Sequence, residues 1–366
     1  MTGKVQISLR QFTVLVMFYS IGTTILVIPA ALAATAKQNA WIAAFAGWLL
    51  SLIITALYVK LGSLFPRRSI VQYAALLTGG WIGKPISLLF IFYSFVGAAT
   101  VLYYMGNFMT TQVMPETPIE AFIVLFAGLV VFGLRLGLEV LARTAEILFP
   151  WFVVLFVVLT IFLLPEIEMK NIRPVAEIAF KPILSGAISY ISYSSLPLIV
   201  FFMIFPANLN RKREAGKAFL IGTLVGGIFV IIVTFLCISI LGADFTERNM
   251  FPSYALAKKI NIGNFVERVE ILIAGIWFMT IFFKTVLYAY GFVAGLAHLF
   301  ECEDYRPLVL PSGMILAASS LVVYPNVVYM LEFDSTVYVP FSFAIGLALP
   351  LLLLLVAGLI RKKRNH

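Results

Sequence analysis

Charge is what this chain has least of. Only 12% of its 366 residues are Asp, Glu, Lys or Arg, against 62% hydrophobic residues and a mean hydropathy of +1.03. A soluble fold of this size could not hide so much apolar surface, so the composition describes an integral membrane protein. Cysteine is scarce as well. The two cysteines make no disulfide framework, since Cys237 falls inside an apolar run and Cys302 in a charged loop. That argues against redox chemistry and against a thiolate metal site. The two histidines come with no Ser-His-Asp, Cys-His or phosphate-loop arrangement, so no enzyme, cofactor or metal site is expected. Short-period repeats and low-complexity segments are missing too.

What the chain does have is a series of apolar runs. Runs of the roughly 20 residues needed to cross a bilayer fall at 10–36, 41–64, 82–112, 119–136, 140–164, 183–205, 216–242, 265–300, 308–328 and 337–360. The N-terminus, with Lys4 and Arg10 before an apolar stretch and Ala31-Leu32-Ala33 after it, could pass for a signal peptide. The stretch outruns a signal h-region and holds glycine, threonine and proline, so it reads as a retained first helix. The expectation is an all-α membrane protein of ten transmembrane helices, with one membrane domain and no separate soluble one.

Alternating the connections between two sides puts seventeen cations on one side, from Lys4 and Arg10 to the basic tail at 361–366, and eight on the other. The positive-inside rule makes the first side cytoplasmic, with both termini there. Six acids (Glu139, Glu146, Glu214, Glu301, Glu303, Asp304) fall inside, and the rest, Asp334 among them, outside. A basic balance that would suggest nucleic acid in a soluble protein is here a topology signal, with some attraction to anionic lipid headgroups, and no nucleic-acid partner is expected.

Two spans carry interruptions. Gly22-Thr23-Thr24 through Pro29 lies in the first, and Ser189-Tyr190-Ile191-Ser192-Tyr193-Ser194-Ser195-Leu196-Pro197 in the sixth. Lipid offers backbone groups no water, so a spanning helix unwinds only where protein, ligand or cavity water satisfies it. The third and eighth spans are overlong, at about 31 and 36 residues against the roughly 20 required. Breaks in spans one and six with long spans three and eight describe a five-plus-five inverted repeat, one half covering about residues 1–182 and the other about 183–360, with a small-molecule site near the membrane centre.

The first break exposes N–H groups at the start of the following half-helix, where the dipole favours a carboxylate. Its alternative is a proline kink whose threonines bond back to their own helix. The hydroxyl density of the sixth span predicts an unwound, solvated or ligand-lined segment from Ser189 to Pro197. Lys284 is the only ionisable residue expected deep in a span. It shares a helix face with Trp277, Thr280, Tyr288, Gly291, Gly295 and His298; the third span has a similar face of Tyr93, Gly97, Thr100, Tyr104 and Asn107. Four roles are open for Lys284: a fixed cation in place of a coupling sodium, a proton carrier, a contact to an anionic ligand group, or a lysine satisfied by carbonyls at the first break. His298 with Glu301, Glu303 and Asp304, and Glu139 and Glu146 with Arg135 and Arg143, read as solvated helix ends.

Ile7-Ser8, Gln11, Ile21-Gly22-Thr23-Thr24-Ile25-Leu26 and Pro29, with ten spans and a basic tail, resemble the B subunits of bacterial spore germinant receptors. That family belongs to the amino acid–polyamine–organocation superfamily, which implies the LeuT-like inverted-repeat fold. The resemblance implies a spore inner-membrane protein that binds a nutrient germinant, typically an amino acid or sugar, beside an A subunit thought to form a cation channel and a C subunit lipoprotein. Carried onto this chain, the pocket uses Gly22, Thr23 and Thr24 of the first break and Tyr190, Ser192, Tyr193, Ser194 and Leu196 of the second. Tyr93, Val96, Gly97 and Thr100 of span three and Lys284 and Tyr288 of span eight complete it. A lysine in that stripe departs from a simple neutral amino-acid pocket. The competing functions are a proton-coupled amino acid transporter of the same superfamily and a structural subunit with a degenerate pocket.

Overall fold

A computed structural model describes residues 6–174, 180–259 and 270–364 of the chain. The first helix, α1 (Leu9–Ile21), begins at a capping box: Ser8 Oγ accepts from Gln11 N at 3.1 Å and Gln11 Oε1 accepts from Ser8 N at 2.9 Å. It stops at Gly22, and α2 (Thr24–Ala36) follows with Pro29 inside it. The first break is therefore Gly22-Thr23 alone. It does not extend to Pro29, the sixth residue of α2, which the helix absorbs at the loss of one N–H donor, the one that would have bonded Ile25 O.

A single 3-10 turn, Lys37–Asn39, leads into α3 (Ala40–Leu64). The next helix, α4 (Ile70–Phe108), is longer than the span expected at 82–112. A second capping box at Ser69 and Gln72 starts it early, and Gly79, at φ 76°, kinks it before the membrane-crossing part. Trp81 beside the kink is 95% exposed, where an indole suits the bilayer interface. The pair α5 (Ile119–Leu136) and α6 (Leu138–Leu163) is joined at Gly137, whose φ of 93° makes the tight turn.

The sixth span is α7 (Phe180–Ser194), an interruption at Ser195, and a 3-10 segment at Leu196–Met203. The unwinding predicted over 189–197 is thus confined to its end. Ser189 and Ser192 lie within the helix, their hydroxyls satisfied without unwinding by the carbonyls of Ser185 (3.3 Å) and Ile188 (2.8 Å). Beyond it come α8 (Ala215–Leu236), the short α9 (Ala243–Arg248) and α10 (Pro252–Lys258), then α11 (Glu270–Leu299) and α12 (Arg306–Val322). The start of the eighth span expected at 265 lies outside the described residues. The last span comprises α13 (Val327–Phe333), a π turn at Asp334–Tyr338, α14 (Val339–Phe343), a second π turn at Ala344–Ala348, and α15 (Leu349–Arg364). It starts ten residues before the expected 337, because Asn326 caps it by accepting from Tyr329 N at 2.8 Å.

Among the described residues eight helical segments are long and apolar enough to cross a membrane. One of them, Thr24–Leu64, contains half of the first span and all of the second; Leu9–Ile21 supplies the other half of the first, and Arg306–Val322 is a shorter apolar helix. Assigned in this way the spans number ten. Their packing has internal symmetry. The first span lies along the seventh (α1 on α8) and the sixth along the second (α7 on α3), and these two pairings exchange when the halves are exchanged. The pairs of third with eighth span (α4 on α11) and fourth with ninth (α5 on α12) map onto themselves. The two broken helices are enclosed between these layers, and every side chain of α1 from Val14 to Ile21 is buried.

The bundle has two ends. The terminal face carries Leu9, the connection of α11 to α12 and the end of α15. There Ile7 pairs with the loop after the sixth span, donating to Asn208 O at 2.9 Å and accepting from Asn210 N at 3.2 Å. Glu146 binds Arg10 at 3.2 Å and Gln11 at 3.1 Å, so it anchors the start of α1 as well as ending a helix in solvent. His298 likewise is half-buried, its Nδ1 2.8 Å from Ser69 Oγ. On the opposite face Lys37 pairs with Glu247.

Candidate functional site

The backbone groups freed by the two breaks determine the site. At the sixth-span break Tyr193 O loses its helical donor, because the residue four further on is Pro197, and three carbonyls of the break accept from side chains of neighbouring helices. Tyr58 Oη of α3 shares its one proton between Leu196 O, at 3.0 Å, and Gly346 O. Tyr19 Oη of α1 donates to Pro197 O at 3.0 Å. Tyr193 O accepts twice, from Thr24 Oγ1 at 3.3 Å and from Lys284 Nζ at 3.0 Å. The Ser195 hydroxyl pairs with Ser51 of α3. In a bilayer each of these carbonyls, left alone, would cost several kcal/mol, so the break persists because the protein satisfies it.

Lys284 is 1% exposed, its ammonium 5.5 Å from the centre of the Tyr19 ring. Its stem crosses the first break at Gly22, where an added Cβ would lie 3.0 Å from Lys284 Cβ and nearer still to Cδ. Glycine is required there for the close approach of α11 to the break. Gly97 of α4 has the same function beneath Tyr288: a Cβ would be 2.5 Å from Tyr288 Cδ1. The lysine thus ties α11 to both breaks, and the carbonyl it uses belongs to the sixth span rather than the first.

A small cavity lies at the junction, lined by Thr23, Thr100, Val101, Tyr104, Tyr193, Lys284, Tyr288, Asp334 and Tyr338. Its volume of about 20 Å³ is room for roughly one water. A second cavity of about 290 Å³ runs from it to the opposite face, past Val27, Ala30 and Ala34 of α2, and shares Tyr104, Tyr193 and Asp334 with it. These three residues partition a vestibule from a closed midplane chamber.

Of the residues expected in the pocket, Thr23, Thr100, Tyr193, Lys284 and Tyr288 line the chamber, and Gly22, Thr24 and Gly97 touch those that do. Tyr93 stands just behind, its ring 6.2 Å from that of Tyr288 and its hydroxyl 3.5 Å from Ser342 Oγ. The others are elsewhere. Tyr190 packs on α3, where a Cβ on Gly47 would be 2.6 Å from its Cβ. Ser192 bonds its own helix, Ser194 is buried outside the chamber lining, Leu196 contributes a carbonyl to Tyr58, and Val96 is half-buried away from the chamber.

Sequence reasoning missed Asp334 and Tyr338, and Lys284 is not the sole ionisable group within a span. Asp334 is 6% exposed on the first π turn of the last span. Its Oδ1 accepts from Tyr324 Oη at 3.1 Å and its Oδ2 from Tyr104 Oη, with the Tyr193 hydroxyl alongside. The signal was present: Asn326 caps an apolar run, and Asp334 and Tyr338 share one helix face four residues apart.

Two broken spans enclosing a chamber between them define the inverted-repeat, LeuT-like fold. MhsT in complex with L-phenylalanine superposes with a TM-score of 0.70 over 96% of this chain and 98% of that one, at 13% identity. Mhp1, a nucleobase-cation-symport-1 family transporter in a closed conformation with bromovinylhydantoin bound, gives 0.68 over 94% and 78%, at 12% identity. These likenesses establish the LeuT fold. Residues 6–328 match the spore germination protein family (Spore_permease), and the chain belongs to that family. Spore germination protein KB of Bacillus subtilis (strain 168) is 29% identical over 99% of this chain and 97% of its own length. Spore germination protein YndE of the same strain is 26% identical over 96% of both.

Proposed function

We propose that this chain is the nutrient-sensing B subunit of a spore germinant receptor, set in the spore inner membrane with both termini cytoplasmic. A small germinant, an amino acid in the first instance, enters through the vestibule on the opposite face and binds between the two breaks. The observation that carries this reading is the pair of bonds on Tyr193 O, one from each side, which couple α2, α7 and α11 through one carbonyl. A ligand whose carboxylate engages Lys284 and the free N–H groups at the start of α2 competes for that lysine, and so changes how the three helices are joined. Equal affinity for the closed and open arrangements would transmit nothing, so the ligand must favour one of them. The A subunit and the C subunit lipoprotein receive that change.

The test is germination of spores in which this chain is the sole B subunit, scored on a nutrient panel. The reading expects a response to particular nutrients that Gly22→Trp abolishes at normal protein level. An unchanged response in that variant overturns it.

A proton-coupled amino acid transporter is the second reading, favoured by an ammonium with a single carbonyl acceptor. Accumulation of labelled amino acid in proteoliposomes, collapsed by dissipating the proton gradient, would establish it against a receptor-only role.

A further inference from the structure

The chamber has a basic side chain on one side and an acidic one on the other, and they do not meet. Lys284 on α11 and Asp334 on the last span both line it, yet among the described residues no ion pair joins them. Each is buried with neutral partners only: one carbonyl and a ring face for the lysine, tyrosine hydroxyls for the aspartate. Separated, unpaired charges inside a membrane span are expensive to maintain, and their retention marks a binding function. A ligand with a negative and a positive end would satisfy both.

The surroundings of Asp334 select the kind of cation. A hard metal ion takes several oxygen ligands of which carboxylates are the main anionic ones, and here there is one. No group of three or more His, Cys, Asp or Glu side chains gathers among the described residues. Tyrosine rings surround the carboxylate instead: Tyr193 and Tyr338 have centroids 5.0 Å apart at 43°, and Tyr104 and Tyr288 close the chamber beside them. One carboxylate within a set of aromatic faces is the chemistry that recognises an organic ammonium.

We propose that Asp334 is the ammonium-binding residue of the chamber and that the ligand is therefore a zwitterionic amino acid, its amino group between Asp334 and the tyrosine rings and its carboxylate toward Lys284. The assignment rests on the nutrient-binding reading above and adds to it the residue that holds the ligand's amino group. Asp334 lines the vestibule as well as the chamber, so a ligand entering past Glu247 and Arg248 reaches it before Lys284. Outward displacement of Tyr104 and Tyr193 then merges the two cavities into a space of amino-acid size.

The test is equilibrium binding to the purified full chain in detergent. The probes are the common L-amino acids, the matching carboxylic acids without an α-amino group, D-glucose, and sodium or potassium chloride alone. The expected result is an amino acid that binds while its deaminated analogue does not, with Asp334→Asn weakening affinity about thirtyfold or more. The analogue series is read on unmodified protein, so it decides the matter even if the variant fails to fold. A deaminated acid or glucose bound within about threefold of the amino acid, or a salt cation bound through Asp334 with no amino-acid binding, overturns the assignment and leaves a midplane site standing. Amino-acid binding unchanged by Gly22→Trp, or no binding of any probe, overturns the nutrient-site reading along with it.

Discussion

Replacing Lys284 by methionine separates a functional lysine from a structural one. The side chain keeps its apolar stem against Gly22 and loses only the ammonium. That ammonium makes one hydrogen bond, 3.0 Å to Tyr193 O, and faces the Tyr19 ring at 5.5 Å. A charged hydrogen bond contributes about 1.5–3 kcal/mol and a buried cation–π contact about 2 kcal/mol. Against these stands the desolvation of an ammonium with no anionic partner, several kcal/mol even after relaxation. Tyr193 O does not become an orphan, because Thr24 Oγ1 remains 3.3 Å away. The terms nearly cancel, so Lys284→Met should leave the unfolding midpoint of the purified protein within about 2 °C of wild type, or raise it. The germination response should nevertheless fall about a hundredfold in nutrient sensitivity, the effect of removing one partner of a desolvated ionic contact. Two assays on one variant, thermal unfolding and spore germination, therefore move apart. A midpoint lowered by many degrees would show that the lysine holds the breaks together, and an unchanged response would show that it does not contact the ligand; either refutes the reasoning.

Other substitutions probe the scaffold and its orientation. Tyr58→Phe removes the donor to the carbonyls of Leu196 and Gly346 and should cost about 1–3 kcal/mol in denaturant unfolding while leaving nutrient selectivity intact. Gly97→Ala forces a Cβ to within 2.6 Å of Tyr288 Cζ, so α4 and α11 must separate. A loss of about 1–3 kcal/mol in the same assay is expected, together with reduced nutrient response. Cys302 is exposed on the terminal face and Cys237 is buried, so a membrane-impermeant maleimide should label one cysteine. It should do so only after the membrane is breached, if the terminal face is cytoplasmic; labelling of intact cells would reverse the orientation.

The ten spans, the two breaks and the inward stripes of the third and eighth spans were legible in the sequence because they depend on local composition and helical period. Lys284, Tyr288 and Thr100 were found on that basis, and all three line the chamber. The sixth-span break was misplaced because hydroxyl density was read as unwinding. Serine hydroxyls can instead bond back to the helix, as Ser192 does to Ile188 O at 2.8 Å, and the interruption falls where Ser195 precedes the Leu196–Met203 3-10 segment. The donors that satisfy the break (Tyr19, Tyr58, Lys284) come from other spans and are visible only once the helices pack. Asp334 escaped notice for a related reason: hydropathy places a carboxylate outside the bilayer unless its partners are known, and Tyr104, Tyr193 and Tyr324 come from spans three and six and the loop before span ten.

The central claim, that a nutrient binds between the two breaks, is tested most directly by an experimental structure of the chain with its germinant bound. Ligand density bounded by Thr23, Thr100, Tyr193, Lys284 and Asp334 is the predicted result. Density confined to the cavity on the terminal face, lined by Arg67, Arg68, Lys84 and His298, would contradict the account.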